Sequence, residues 1–226
     1  MEASLNRFVQ LAYGAGRGLR NLSVAFVMAG TAQAETVTVA ALGDSLTQGY
    51  GLLPEEGFVP QLEAWLRAAG ADVTVINAGV SGDTTAGGLA RAAWTLTPEV
   101  DAVIVALGGN DLLRGIDPAE SESNLRGILK AAQTAGVAAL LVGMEAPSNY
   151  GPEYKAAFDG MFTALAAEFD VPLYPAFFRG LLIEGDMEAA RAAYMQGDGI
   201  HPNPDGVARI VDDMGPAVLA LVQGVE

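Results

Sequence analysis

The sequence predicts an α/β domain whose parallel sheet is buried on both faces. Three observations carry that prediction. Short β-branched runs alternate with longer Ala/Leu segments, and each run is closed by glycine, asparagine or proline. The runs are nearly continuous in apolar character rather than alternating, as expected for strands covered by crossover helices on either side. At 226 residues and 51% hydrophobic, the chain can bury a full core without help from metals or crosslinks.

Taken in order, residues 1–34 differ from the rest. Arg7, Arg17 and Arg20 face the single acid Glu2, an apolar run covers 22–29, and Thr31-Ala32-Gln33-Ala34 ends in an A-x-A pattern. A basic region, a short apolar region and a small-residue site in that order predict a secretory signal peptide cleaved after Ala34. The apolar run is too short for a comfortable membrane span, so no stable membrane anchoring is expected after cleavage. Residues 35–226 then form one domain, with no repeat, low-complexity stretch or linker to divide them. Its strands are predicted at 37–42, 73–77, 102–107, 137–143 and 171–174, and its helices at 58–69, 84–96, 119–135 and 153–169. A last helix, 204–222, is expected to follow a loop.

Composition excludes several chemistries. With no cysteine and one histidine, His201, there is no disulfide, thiolate metal site, Cys nucleophile or multi-His centre to be built. The 12 Lys and Arg against 27 Asp and Glu leave a formal charge of −15 and no basic run to track a phosphate backbone, so nucleic acid is not an expected partner. Removing residues 1–34 takes away three of the bases and one of the acids, leaving −17. No G-x-S-x-G elbow and no P-loop occur, and the Gly14, Gly16, Gly18 cluster fails the dinucleotide spacing.

Right-handed crossovers bring the carboxyl ends of all parallel strands to one edge, where sites form. The segments placed there are Gly43-Asp44-Ser45-Leu46, Asn77-Ala78-Gly79-Val80-Ser81-Gly82-Asp83, Gly108-Gly109-Asn110-Asp111 and Met144-Glu145-Ala146-Pro147-Ser148-Asn149-Tyr150. Ser45, just past a buried strand and a glycine, fits a helix N-cap or a nucleophile equally well. Gly82 and Asn110 fit turn residues that tolerate positive φ, or hydrogen-bond donors aimed at an oxyanion. His201 lies in a loop rich in glycine and proline, and Asp198 stands three residues before it, within reach of Nδ1. Asp44 and Asp111 are expected to hold loops through backbone bonds and helix N-termini.

Together these blocks resemble the GDSL, or SGNH, hydrolase family: Gly43-Asp44-Ser45-Leu46, the Gly82 turn, Gly109-Asn110-Asp111 and Asp198-Gly199-Ile200-His201-Pro202 occur in the family's order. Ser81-Gly82-Asp83-Thr84-Thr85, Pro147-Ser148-Asn149-Tyr150-Gly151 and Glu168-Phe169-Asp170-Val171-Pro172-Leu173 are similar to its periplasmic acyl-CoA thioesterase, arylesterase and lysophospholipase group. The resemblance implies a three-layer α/β/α flavodoxin-like fold with a five-stranded parallel sheet, and a serine esterase needing no metal or cofactor. Ser45, His201 and Asp198 would be its catalytic residues, with Ser45, Gly82 and Asn110 as its oxyanion hole. Leu46, Tyr50, Pro147, Asn149 and Tyr150 are the candidates for substrate contact, and a small acyl ester or thioester is the expected partner of a monomeric, periplasmic or secreted enzyme. Ser148 departs from the alanine expected in that group and leaves acyl-chain preference open. Two readings compete with the enzyme, a flavodoxin-like nucleotide or flavin binder and a non-catalytic ligand-binding protein of the cell envelope. The first does not account for a Gly-Asp-Ser together with an Asp-x-x-His, and the second would keep the fold without any need for Ser45.

Overall fold

The computed structural model describes residues 36–181 and 187–225. The predicted signal peptide lies outside the described residues. Five parallel strands, β1 (Val37–Gly43), β2 (Val73–Gly79), β3 (Ala102–Ala106), β4 (Ala138–Val142) and β5 (Leu173–Tyr174), form one sheet in the order β2-β1-β3-β4-β5. Among the described residues, no helix is long and apolar enough to cross a membrane.

The period of two along each strand sorts side chains into two cores. Val39, Ala41, Ile104 and Leu140 meet α2 (Phe58–Ala68) and α8 (Pro204–Gln223) through Leu62, Leu66, Ile210 and Met214. Their neighbours Ala40, Leu42, Val103 and Leu141 meet the opposite layer, which is α3 (Thr85–Thr95), α5 (Pro118–Ala135) and α6 (Pro152–Phe169), through Ala92, Ile128 and Phe162. These two apolar interfaces are the three-layer sandwich that the alternation of runs predicts. Helix ends follow local chemistry. Asp117 caps α5 through the Ala119 N–H with Pro118 in its first turn, and Asn203 caps α8 through the Gly206 N–H ahead of Pro204.

β2 runs two residues further than expected, to Gly79, β3 and β4 are trimmed by a residue at their ends, and the structure departs from the sequence reading more substantially elsewhere. β5 begins at Leu173 rather than 171, because Asp170 adopts φ 52° and Val171 N–H bonds back to the Ala166 carbonyl to close α6. Gly109 to Asn110 is not a free turn but opens a short helix, α4 (Gly109–Arg114), after Gly108 at φ 119°. The segment expected to be loop before the last helix contains α7 (Met187–Tyr194). A four-residue helix, α1 (Ser45–Gln48), directly follows β1. Strand order reverses about β1: β2 lies to one side and β3 to the other, so the crevice at the carboxyl ends of β1 and β3 is the switch point of the sheet.

Candidate active site

Ser45 owes its position to Gly43. A Cβ on Gly43 would stand 1.9 Å from Thr47 Oγ1 and 3.0 Å from the Ala106 carbonyl, so only glycine lets β1 turn this sharply into α1. Asp44, not Ser45, is the N-cap: its Oδ1 accepts the Leu46 N–H at 3.0 Å. Ser45 is therefore the first residue of α1, half-buried, with an N–H that no carbonyl within the helix can reach.

His201 arrives on the loop between α7 and α8. That loop is closed on itself by the Met195–Pro202 bridge and by the Gln196 N–H to the His201 carbonyl at 2.8 Å. Within it, Asp198 Oδ1 accepts the N–H groups of Ile200 at 2.9 Å and His201 at 3.0 Å, leaving Oδ2 2.6 Å from His201 Nδ1. The bond to the His201 side chain, then the two backbone donors, pull the Asp198 carboxyl down to about 2. The far nitrogen, Nε2, lies 2.8 Å from Ser45 Oγ. Tyr50 sets its ring 4.7 Å from the imidazole, tilted 35°.

Gly82 and Asn110 reach the same place from β2 and β3. Gly82 has φ 84°, and its carbonyl accepts from Arg114 Nη2 on α4 at 2.8 Å. Arg91 fastens that turn to the sheet through Asp83 Oδ2 at 2.6 Å, the Ala78 carbonyl at 2.6 Å and the Gly43 carbonyl at 2.7 Å. Asn110 donates from Nδ2 to Asp44 Oδ2 at 3.2 Å. Asp44 is 2% exposed, and burial raises its carboxyl above the ordinary range against the opposing hydrogen bonds from Leu46 and Asn110. Asp111, fully buried, holds the α3 N-terminus through the Thr85 N–H at 2.8 Å and hydroxyl at 2.5 Å, and α5 through Ser121 at 2.9 Å.

Ser45, Gly82, Asn110 and His201 line a cavity of about 610 Å³ with mostly apolar walls. Leu46, Tyr50 and Pro147 are among its lining residues. Asn149 and Tyr150 are not: they sit on the 3₁₀ turn Ser148–Tyr150, where Tyr150 stacks on Tyr154 at 4.9 Å. Sequence reasoning missed the wall made by Ala176, Phe178, Leu181, Arg191 and Met195, because it read that segment as connecting loop. The apolar run Ala176, Phe177 and Phe178 in a nominal loop was the available signal. Among the described residues, no group of three or more His, Asp or Glu side chains is placed to hold a metal ion.

A hydroxyl, an imidazole and a carboxylate bonded in series, with Gly82 and Asn110 lining the same cavity, have the composition for acyl transfer. Residues 41–209 match the GDSL-like Lipase/Acylhydrolase family. The chain belongs to this family. It is 39% identical to Esterase TesA of Pseudomonas aeruginosa over 85% of this chain and 92% of the relative. It is 38% identical to Thioesterase 1/protease 1/lysophospholipase L1 of Escherichia coli over 82% of this chain and 85% of the relative. The crystal structure of AlinE4, an SGNH-hydrolase family esterase, superposes with a TM-score of 0.66 at 43% identity, covering 81% of this chain and 95% of that one. This GDSL hydrolase is thus an ester hydrolase acting on small-molecule substrates, and its sheet and flanking helices are those of the SGNH fold.

Proposed function

We propose that the protein hydrolyses acyl esters and thioesters by forming an acyl-enzyme on Ser45. The observation that carries this reading is the bonded series Ser45 Oγ, His201 Nε2 at 2.8 Å, His201 Nδ1 and Asp198 at 2.6 Å, at the mouth of an apolar cavity. His201 takes the Ser45 proton as Oγ attacks the acyl carbon, then returns it to the leaving oxygen or sulfur. Asp198 stays ionised, fixes the tautomer and stabilises the imidazolium. Negative charge on the former carbonyl oxygen is met by the N–H groups of Ser45 and Gly82 and by Asn110 Nδ2. Water, deprotonated by His201, then releases the acid and restores the serine.

The cavity walls of Leu46, Leu112, Met144 and Phe178 suit a hydrocarbon acyl chain, and the names of the relatives point to aryl esters, acyl thioesters and lysophospholipids as its carriers. The N-terminal pattern supports export, so that a monomeric mature enzyme works in the periplasm or outside the cell. The reading is tested with a p-nitrophenyl acyl ester and an organophosphonate. Wild type releases nitrophenol and gains one phosphonyl adduct on Ser45, whereas Ser45→Ala does neither. Full turnover by Ser45→Ala would sink it.

A further inference from the structure

Three of the 12 basic residues lie in 1–34, and eight of the other nine are engaged. Arg67 pairs with Glu63, Arg91 with Asp83, Arg126 with Glu122 and Glu168, Lys155 with Asp159, and Arg179 with Asp213. Arg114 bonds the Gly82 carbonyl, Lys130 bonds Gln133, and Arg209 bonds the hydroxyl of Tyr194 and covers its ring at 4.5 Å. Arg191 differs: among the described residues its guanidinium enters no hydrogen bond, ion pair or ring contact, yet it lines the cavity that holds Ser45 and His201. Exposed on the wall of a mostly apolar cavity, Arg191 is the one Lys or Arg among the described lining residues and is open to an anionic part of a substrate.

The wall on which Arg191 stands has a chemical meaning. Helix α7 runs directly into the His201 loop, and the Asn203 N–H to the Tyr194 carbonyl at 2.9 Å ties the end of α7 to the residues after His201. In acyl transfer the leaving group takes its proton from the imidazole and departs on the imidazole's side. A hydrocarbon acyl chain gives a guanidinium nothing to bind, whereas a phosphate on the leaving group accepts its fork of N–H donors. The other charged groups lining the cavity are Asp44, buried beside Asn110, and Glu145 on the loop after β4. Neither shares an element with Arg191. We propose that Arg191 is a specificity-determining residue that binds a phosphate on the alcohol or thiol portion of the substrate. The inference rests on the Ser45 hydrolase reading. Arg191 also supplies local attraction against the repulsion that a protein of net charge −15 exerts on such anions.

The test compares wild type, Arg191→Gln and Arg191→Lys on three substrates with the same decanoyl group: p-nitrophenyl decanoate, decanoyl-CoA and a decanoyl lysophosphatidylglycerol. Arg191→Gln is expected to raise KM for the phosphate-bearing substrates about five- to tenfold, with kcat within about twofold, as for a charge-assisted contact at a solvent-exposed rim. Arg191→Lys recovers most of that loss, and the neutral ester is unaffected. A shift confined to the thioester or to the lysophospholipid supports the phosphate site and identifies its source. Unchanged KM for both, or an equal change with the neutral ester, overturns it. If wild type cleaves the nitrophenyl ester but neither phosphate-bearing substrate, the inference fails and the Ser45 reading stands.

Discussion

Replacing Asp44 by Asn probes the least obvious part of the site. The side chain keeps its size, and its carbonyl oxygen still accepts the Leu46 N–H, so α1 remains capped. The other end changes from an acceptor to an NH₂ group aimed at the NH₂ of Asn110, now 3.2 Å from Asp44 Oδ2. Asn110 must turn its oxygen toward position 44, which points a lone pair at the developing oxyanion, or swing away. Either outcome removes the oxyanion donor proposed for Asn110, a loss of about 10²- to 10³-fold in kcat. Removing the Asp44 charge acts the other way on the oxyanion, since the two are of like sign, and acts with the loss on the imidazolium. The net expectation is a kcat about 10²-fold lower, with KM within about twofold. The assay is steady-state hydrolysis of a nitrophenyl ester beside the rate of organophosphonate labelling, which builds charge on the same side and should slow in parallel. A cycle with Asn110→Ala should be strongly non-additive, because both changes remove the same donor. Asp44→Asn within about threefold of wild type, or additive with Asn110→Ala, would refute the reasoning.

Two further outcomes follow from geometry. Gly82→Ala places a side chain at φ 84° where the nearest atom, Arg114 Nη2, is 3.8 Å away, so its cost is conformational rather than steric. That cost is about 1–2 kcal/mol, a fall of about 2–8 °C in the thermal midpoint, and an unshifted midpoint would mean the turn is free to leave positive φ. Asp213 is bonded by Arg179 at 2.7 and 3.0 Å and by the Tyr174 hydroxyl, and the Arg179 bond above all holds its carboxyl below the ordinary 3.8. A depressed carboxylate contributes stability above its unfolded value and loses it as pH falls toward its folded one. Urea midpoints of Asp213→Asn should therefore lie below wild type at pH 7 and converge on it below about pH 4. A gap constant down to pH 3 would contradict the ion pair's contribution.

How far the sequence reaches depends on where each partner lies. The strand and helix positions were legible because period and punctuation are local, while edges slipped by a residue or two, as at β2, which runs on to Gly79, and at β5, where the Asp170 backbone intervenes. The Asp198 contact to His201 was legible for the same reason, three residues being a loop's reach. Asp44 was read as a loop anchor, which it is for α1, but its bond to Asn110 spans 66 positions and depends on β1 and β3 being neighbours. Helix α7 was missed because an eight-residue segment spans only about two turns, too short for a pattern to stand out from a loop, and with it went Phe178, Met195 and Arg191 as cavity walls.

By itself, then, the sequence determined the parallel α/β layering, the GDSL family blocks, the sole imidazole and the absence of thiols. Those follow from residue identity and short-range order. Only the tertiary structure decided that Ser45 Oγ and His201 Nε2, 156 residues apart, meet at 2.8 Å, that Asn149 and Tyr150 are not among the residues lining the cavity, and that Arg191 is. The reason is physical: strand order about β1 and the placement of residues 175–181 and 187–203 against the same cavity set which side chains converge. Neither is written in any local stretch of the chain.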